Sequence, residues 1–174
     1  MRLFIGIPLD DEVKDYLSTL SKETLNHAVT FQEQSKENYH LYLFFLGEML
    51  ITDVYLLNRA LEFLKKEQKF ELTLSKLNYF QKDLFGVGLK GDMKQLELLF
   101  TKIKNAVNSL GFKYKESLSA HIALAKDVKF EEGFEYKKVQ VKPLSIKIDK
   151  VHLYESIKSN NKVIYEPLTT LKLK

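Results

Sequence analysis

Apolar residues recur along the chain with two periods, and these periods predict an alternation of strands and helices. Spacings of three and four predict three helices, one beginning at Asp10 and Asp11, one capped by Thr52 or Asp53, and one capped by Asp92. Short apolar or aromatic runs predict strands at residues 2–8, 39–47, 70–80, 84–90, 121–126, 144–155 and 163–173. A polar connection is predicted to follow the first helix and to run to Asn38. This order is typical of an α+β fold with mostly antiparallel sheets.

Length and composition predict one domain with a substantial core. The chain has 174 residues, which suits a single domain, or two tightly fused lobes, spanning residues 1–174. Apolar residues make up 45% of it, which is enough to bury a core. Its formal net charge of +4 fits an anionic ligand such as RNA, although many lysine-rich proteins bind no nucleic acid.

The residue inventory also limits the chemistry and the location. The chain has no cysteine, which excludes disulfides, thiol nucleophiles and thiolate metal sites. No apolar run approaches the roughly 20 residues of a membrane-spanning helix. The opening residues turn acidic after a short apolar stretch and lack a signal-peptide cleavage pattern. We therefore expect a cytoplasmic protein with no membrane contact and no obligate protein partner.

Two of the four histidines share a sequence context. His40 and His121 each open an apolar strand, whereas His27 and His152 are expected to be structural or exposed. Residues i and i+2 of a strand point to the same face, so His40 shares a face with Tyr42 and His121 with Ala123. If the two strands were neighbours, both imidazoles would converge on one site. From spacing alone, purely structural roles for both histidines remain the alternative.

Two imidazoles suit acid–base chemistry at a phosphodiester. Opening a cyclic phosphodiester requires a base that deprotonates water and an acid that protonates the leaving oxygen. Histidine can do either near neutral pH, and the reaction then needs neither metal nor cofactor.

Five segments in order resemble the two-histidine phosphoesterases, in particular the LigT-like RNA 2′,3′-cyclic phosphodiesterases, also called 2′-5′ RNA ligases. RLFIGIPLDDEV is similar to the opening strand and helix of that family, and ENYHLYLFFLGE and SAHIALAK resemble its two histidine motifs. FGVGLKGDMKQLELLFTKIKNAVNSLGF resembles its middle strand and helix, and VHLYESIKSNNKVIYEPLTTLKL its closing strand pair. The resemblance implies a bilobal fold in which two mostly antiparallel sheets, with flanking helices, surround a central cleft.

The resemblance also implies roles for individual residues. By motif position, His40 is the proton donor to the leaving oxygen and His121 is the base for water. The family places a phosphate-binding hydroxyl two residues after each histidine, where this chain has Tyr42 and Ala123. Lys126 stands where the family commonly has arginine, so it keeps the charge but loses the bidentate fork.

The roles of three of these residues have alternatives. Tyr42 could stack on a base or simply pack, Lys126 could be a solvated lysine at a strand end, and Phe4 could line the cleft or pack in the core.

The leading hypothesis is metal-free hydrolysis of 2′,3′-cyclic phosphate ends of RNA, or of small cyclic nucleotides, to 2′-phosphates. Related chemistry at the same phosphorus would join RNA ends through 2′-5′ linkages. Because Tyr42 and Ala123 depart from the motif, the main alternative is a catalytically weakened RNA-binding or nucleotide-binding module that uses the same cleft. A protein-interaction domain would require a closed or apolar cleft.

Overall fold

The fold consists of two antiparallel sheets with helices packed around them. The computed structural model describes residues 1–81 and 83–174. Within them the strands are β1 (Arg2–Pro8), β2 (Ala28–Glu33), β3 (His40–Glu48), β4 (Phe70–Phe80), β5 (Leu84–Gly91), β6 (His121–Phe130), β7 (Ser145–Ile148), β8 (Lys150–Ser159) and β9 (Lys162–Lys172). The helices are α1 (Asp11–Leu25), α2 (Ile51–Ala60) and α3 (Met93–Asn108), and short 3₁₀ turns cover Lys36–Asn38, Glu62–Lys66 and Tyr136–Lys138.

The strands that begin with His40 and His121 lie in different sheets. The first sheet has the order β3-β1-β8-β9 and the second has the order β2-β6-β5-β4-β7. The pairs that join these strands are antiparallel. The α+β class, the two antiparallel sheets and the flanking helices are confirmed. That residues 1–174 form one two-lobed domain stays a prediction.

The first four residues of β3 and of β6 alternate between the hydrophobic core and the opposite face, which carries the histidine. Leu41 and Leu43 on β3, like Ile122 and Leu124 on β6, are at most 1% exposed and belong to the hydrophobic core. Because successive side chains of a strand point to opposite faces, the intervening residues face the other way. The core therefore fixes the direction of the two histidine motifs.

The predicted strand at residues 144–155 is wrong, because the structure divides it. β7 pairs with β4 in the second sheet, whereas β8 pairs with β1 and β9 in the first. The chain passes from one sheet to the other at Asp149, between two alternating segments. Periodicity does not detect this crossing, because both segments have apolar residues at alternate positions.

Three further boundaries differ from the sequence predictions. The predicted polar connection contains β2, an edge strand whose side chains are nearly all exposed, so it lacks an apolar face that could have revealed it. The second helix begins at Ile51 rather than after Thr52 or Asp53, and the Asp53 carboxylate accepts the Leu50 N–H instead. The strand that opens at His121 runs on to Phe130, beyond the predicted residue 126. The cap at Asp92 is confirmed, since its side chain accepts the Gln95 N–H.

Candidate active site

His40 opens β3 inside a cage of aromatic rings. Its ring centroid lies 5.0 Å from that of Phe4, 5.6 Å from Tyr154 and 5.3 Å from Tyr165. Its Nδ1 lies 2.8 Å from the carbonyl oxygen of Asn38. A carbonyl can only accept, so Nδ1 carries the proton and Nε2 is the nitrogen left for a ligand.

Asn38 is itself held by β9. Its side chain is 5% exposed, its Nδ2 donates to the Val163 carbonyl at 2.7 Å, and its Oδ1 accepts the Tyr165 N–H at 3.1 Å. The Asn38 side-chain amide thus pairs with the edge of β9 as a backbone peptide group of a neighbouring strand would. The carbonyl that orients His40 is therefore fixed by residues more than a hundred positions further along the chain.

His121 opens β6 and is 1% exposed. Its Nδ1 donates to the Ser119 carbonyl at 2.8 Å, so its proton sits on the same nitrogen as in His40. The ring stacks on Phe80 with centroids 4.8 Å apart and an interplanar angle of 6°, and the Tyr42 ring lies at 6.2 Å. Its Nε2 is buried and has no hydrogen-bond partner among the described residues.

The two histidines repeat one local geometry. In each motif the imidazole Nδ1 donates to the carbonyl of the residue two positions earlier, at the same distance of 2.8 Å. The two histidines that share a sequence context thus also share the orientation of their rings.

Burial favours the neutral form of both imidazoles. It lowers the pKa of His40 from 6.5 to about 4, against the opposing effect of the hydrogen bond to Asn38. Burial likewise lowers the pKa of His121, again opposed by the hydrogen bond to its backbone partner, Ser119. Both rings are therefore neutral at pH 7 in the empty protein.

A single cleft of about 800 Å³ brings the two histidines together, and it is lined by residues of both sheets. All six residues singled out in the sequence line it: His40, His121, Phe4, Tyr42, Ala123 and Lys126. The two histidine strands are not neighbours in one sheet, as the simplest form of the prediction supposed, but lie in separate sheets and both reach this cleft.

The motif positions differ in what they offer a ligand. The Tyr42 hydroxyl donates to the Glu116 carboxylate at 3.1 Å, and burial together with that neighbouring charge raises its pKa. Ala123 presents only a methyl group. Lys126 is exposed, so its ammonium remains solvated beside the cleft. Phe4 is 5% exposed, stacks on Tyr154 and contacts His40, so it both packs and forms cleft wall.

The other two histidines lie elsewhere. His27 follows α1, where it stacks on Phe134 and its Nδ1 lies 3.0 Å from the Glu131 carboxylate. His152 lies on β8 and packs against Tyr154, and its Nδ1 is buried without a partner within the described part of the chain.

Several cleft residues were not anticipated from the sequence: Arg2, Gln34, Gln81, Glu116, Ser117 and Tyr165. Arg2 had a usable signal, because it shares the strand face of Phe4 two residues away. Glu116 and Ser117 had none, because they lie in a segment without regular secondary structure between α3 and β6.

Two searches of the described residues found nothing. Across residues 1–81 and 83–174 no three His, Asp or Glu side chains are grouped so that they could hold a metal ion. No helix in this part of the chain is long and apolar enough to cross a membrane.

Comparison with known proteins gives relatives that span the whole chain. No protein-family model matches it. It is 25% identical to the RNA 2′,3′-cyclic phosphodiesterase of Thermotoga maritima, over 97% of this chain and 93% of that protein. E. coli LigT complexed with 3′-AMP superposes with a TM-score of 0.80 at 21% identity, covering 99% of this chain and 97% of that one. TT0787 of Thermus thermophilus superposes with a TM-score of 0.83 at 19% identity, covering 99% and 98%.

The two antiparallel sheets and the cleft that holds both imidazoles match the fold of LigT, and the chain is similar along nearly its whole length to an RNA 2′,3′-cyclic phosphodiesterase.

Proposed function

We propose that this protein hydrolyses 2′,3′-cyclic phosphates of RNA ends or small nucleotides to 2′-phosphates, without a metal or cofactor. One observation carries the proposal: His40 and His121 line one cleft in the same tautomer, each with Nδ1 occupied by a backbone carbonyl. The full-length similarity to a cyclic phosphodiesterase supports the reaction class.

His121 is the base in this scheme. Its Nε2 is a buried acceptor without a partner among the described residues, and such an atom costs about 1–3 kcal/mol until a donor reaches it. A water molecule that donates to Nε2 would satisfy it and be oriented toward the phosphorus. As the water oxygen bonds to phosphorus, its proton moves to Nε2.

His40 is the acid. The P–O3′ bond breaks as O3′ takes a proton from His40 Nε2, which leaves a 2′-phosphate and a 3′-hydroxyl. Its pKa of about 4 leaves the empty protein short of the protonated form at pH 7. An anionic phosphodiester in the cleft favours the imidazolium, so we infer that substrate binding raises this pKa. The assignment of acid and base follows the order of the motifs in the family.

Cations replace the missing hydroxyls as phosphate ligands in our proposal. The Tyr42 hydroxyl donates its hydrogen bond to Glu116, and the Ala123 side chain has no donor. Lys126 and Arg2 both line the cleft and carry permanent charge at neutral pH. Their charge-assisted contacts to phosphate oxygens would be stronger than those of a neutral hydroxyl.

The ligand class rests on relatives and on the walls of the cleft. LigT has been crystallised with 3′-AMP, and the T. maritima relative is named for RNA. Here Phe4 and Tyr165 offer aromatic surfaces, on which bases stack well. Joining of RNA ends through a 2′-5′ linkage would use the same groups in the same roles. A 5′-hydroxyl would replace water as the attacking group and lose its proton to His121, while O3′ leaves phosphorus with the proton from His40.

A second candidate function is nucleotide binding without turnover. The Tyr42–Glu116 hydrogen bond favours it, because it engages the only hydroxyl that the two motif positions offer. Loss of one aimed donor typically costs about 10²–10³ in rate.

Turnover of adenosine 2′,3′-cyclic phosphate, resolved into 2′ and 3′ products, tests the proposal. We expect the 2′-phosphate from the wild type, and no detectable turnover but retained adenosine 2′-monophosphate binding in His40→Ala and His121→Ala. His27→Ala is the matched control, because His27 stacks on Phe134 outside the cleft, and it should remain active. Binding without turnover in the wild type would select the second candidate.

Chelation supplies a separate test of the mechanism. Because the two imidazoles carry both proton transfers, the rate should be the same in EDTA as without it. A loss of rate in EDTA that a divalent cation restores would contradict the mechanism while leaving the reaction class intact.

A further inference from the structure

An acidic side chain occupies the cleft that should receive an anion. Glu116 lines the same cavity as both histidines, and its carboxylate accepts the Tyr42 hydroxyl at 3.1 Å. The Tyr42 ring in turn lies 6.2 Å from the His121 ring, centroid to centroid. A negative charge therefore stands one side chain away from the proposed base.

The segment that carries Glu116 is tied down at several points. The Lys104 ammonium donates to the Glu116 carbonyl at 2.7 Å, the Asn108 side chain bonds both the N–H and the carbonyl of Tyr114, and the Tyr114 hydroxyl donates to the Leu46 carbonyl. The Lys104 contact is to backbone, so it does not form an ion pair with the carboxylate. The charge is thus held at the cleft and is not neutralised by a side-chain cation among the described residues.

The formal charges of the cleft nearly cancel. Among the described lining residues, Arg2 and Lys126 are positive, Glu116 is negative, and burial keeps both imidazoles neutral. In the empty protein the balance of these described groups is a single positive charge, one less than it would be without Glu116.

We propose that Glu116 is a specificity-determining residue that makes the cleft select monoanionic phosphodiesters over dianionic phosphomonoesters. The inference rests on the proposed function, where the substrate is a cyclic diester and the product is a monoester. A diester has one ionisable oxygen and carries one charge, whereas a phosphomonoester, with a second pKa near 6, carries almost two at pH 7. Repulsion by Glu116 then weakens product binding more than substrate binding and hastens product release.

Coulomb's law makes this quantitative, because the interaction energy is proportional to the ligand's charge. If replacing Glu116 with glutamine tightens binding of a monoanion by some factor, it should tighten binding of a dianion by about the square of that factor. At an effective dielectric suited to a partly solvated site, we expect roughly three- to tenfold for the monoanion and about ten- to hundredfold for the dianion.

Calorimetric binding of two non-reacting ligands tests the proposal without turnover. Adenosine 3′,5′-cyclic monophosphate is the monoanionic diester, and adenosine 2′-monophosphate at about pH 8 is the dianion. Each is titrated into the wild type, Glu116→Gln and Glu97→Gln. Glu97 is an exposed residue of α3, so its variant makes the same change in net charge away from the cleft.

We expect the squared relation in Glu116→Gln and less than a twofold change in Glu97→Gln. Tyr42→Phe removes the hydrogen bond and keeps the carboxylate, so it should retain the wild-type preference for the diester. Equal tightening of both ligands, or no tightening, would overturn the proposal. So would the same shift in Glu97→Gln.

Repeating the titrations at a second pH distinguishes an effect of the ligand's charge from an effect of its shape. Near pH 5 the monoester is mostly monoanionic, so its gain on Glu116→Gln should shrink to that of the diester. Variant and wild type are compared at the same pH, and the monoester is compared with the diester, so that an effect of Glu116 on His40 or His121 that both ligands share does not enter the comparison. Other titratable groups near the carboxylate are Tyr42 on β3 and Tyr114 in its own segment, and burial and the Glu116 charge raise both pKa values, while Lys104 on α3 contacts only the backbone.

The two proposals can fail separately. If the squared relation is observed but cyclic phosphate is not turned over, the charge selection is supported and the proposed enzymatic function is contradicted. A protein that turns over cyclic phosphate with no differential effect at Glu116 keeps the function and loses this inference.

Discussion

The two histidines share one hydrogen-bond geometry but differ in what stands behind it. His40 is enclosed by three rings from its own sheet, and its carbonyl partner belongs to Asn38, whose side chain is paired with β9. His121 stacks on one ring, Phe80, and its carbonyl partner belongs to Ser119, which follows a segment without regular secondary structure. Equal orientation is thus achieved by a rigid framework on one side and by local stacking on the other.

Because of this difference, we expect equivalent substitutions near His40 and near His121 to have unequal effects. Three aromatic rings lie close to the His40 imidazole, so a small displacement of the imidazole toward any of them would meet a packed neighbour. Around His121 a neighbouring ring can give way by a few tenths of an ångström. Matched substitutions on the two sides measure this contrast.

Alanine substitution of two glycines, one near each histidine motif, should give the largest difference in rate between the two sides. A Cβ on Gly6 would lie 2.8 Å from His40 Cδ2 and 3.1 Å from the Leu41 carbonyl oxygen, whereas a Cβ on Gly88 would lie 3.2 Å from the edge of the Phe80 ring. Gly6→Ala should lower kcat/KM for adenosine 2′,3′-cyclic phosphate by about 10²-fold, the usual cost of misplacing a reacting group by about 1 Å. Gly88→Ala should lose only a few-fold. Thermal unfolding of both variants controls for loss of fold, and equal kinetic losses would contradict the contrast.

Restoring a motif hydroxyl should raise turnover more on the His121 side than on the His40 side. Ala123→Thr places a donor on the strand face of His121, so turnover should rise, by up to about 10²-fold if the donor acts in the transition state. Tyr42→Thr should gain less, because it removes both the volume of the ring and the partner of Glu116. Initial rates at saturating substrate measure both.

If the wild type already turns over the cyclic phosphate rapidly, the expectation for Ala123→Thr and Tyr42→Thr changes. Ala123→Thr would then have little effect, and Lys126 would be the donor that replaces the hydroxyls. Lys126→Ala should in that case slow turnover sharply. If Lys126→Ala and Ala123→Thr both leave the rate unchanged, the phosphate is held by other groups.

Removing the Asn38 anchor should have an intermediate effect. Asn38→Ala leaves the Val163 carbonyl and the Tyr165 N–H without their partner, at a cost of about 1–3 kcal/mol each if they stay buried, and frees the carbonyl that orients His40. We expect kcat to fall by about tenfold, in keeping with a small misalignment of the acid. The pKa of His40, followed by NMR, should fall further, because its hydrogen bond to Asn38 opposes the effect of burial.

Ser119→Ala is the control for this prediction. It keeps the Ser119 backbone carbonyl that His121 uses at 2.8 Å and removes only a longer contact of 3.4 Å between the Ser119 hydroxyl and His121 Nδ1, so the rate should change less than twofold. A similar loss in both variants would mean that the anchor on β9 adds nothing.

The smallest effect concerns pH. In the proposed mechanism the active form has His40 protonated and His121 neutral, and kcat/KM reports the pKa values of the free enzyme. Burial lowers both pKa values from 6.5, to about 4 for His40, so the optimum of kcat/KM should lie below pH 6.5 and the value should fall above it. The kcat optimum should lie higher, because bound phosphate favours the imidazolium. A kcat/KM optimum at or above pH 7 would contradict the assigned protonation states.

The sequence predicted the parts of the site that strand periodicity controls. His40, Tyr42, His121 and Ala123 all line the cleft, because i and i+2 positions share a face and the intervening leucines and isoleucine are buried in the core. Their catalytic and binding roles stay predictions. Glu116 could not be found in this way, because its position depends on hydrogen bonds from α3 and on the Tyr114 contact with β3. The division at Asp149 was missed for a related reason: partner choice between two sheets is not encoded in local alternation.

The pairing of Asn38 with β9 also orders events during synthesis. In the first sheet β1 lies between β3 and β8, and β9 lies beyond β8, so a nascent chain that stops short of residue 150 has β1 with one edge unpaired. The anchor of His40 reaches residues 125 and 127 positions downstream, on β9. A ribosome-bound fragment can thus contain both histidines and still lack an aligned acid. The wall of the cleft around His40 is completed only when the hairpin of β8 and β9 docks, so we expect His40 to become oriented together with that hairpin.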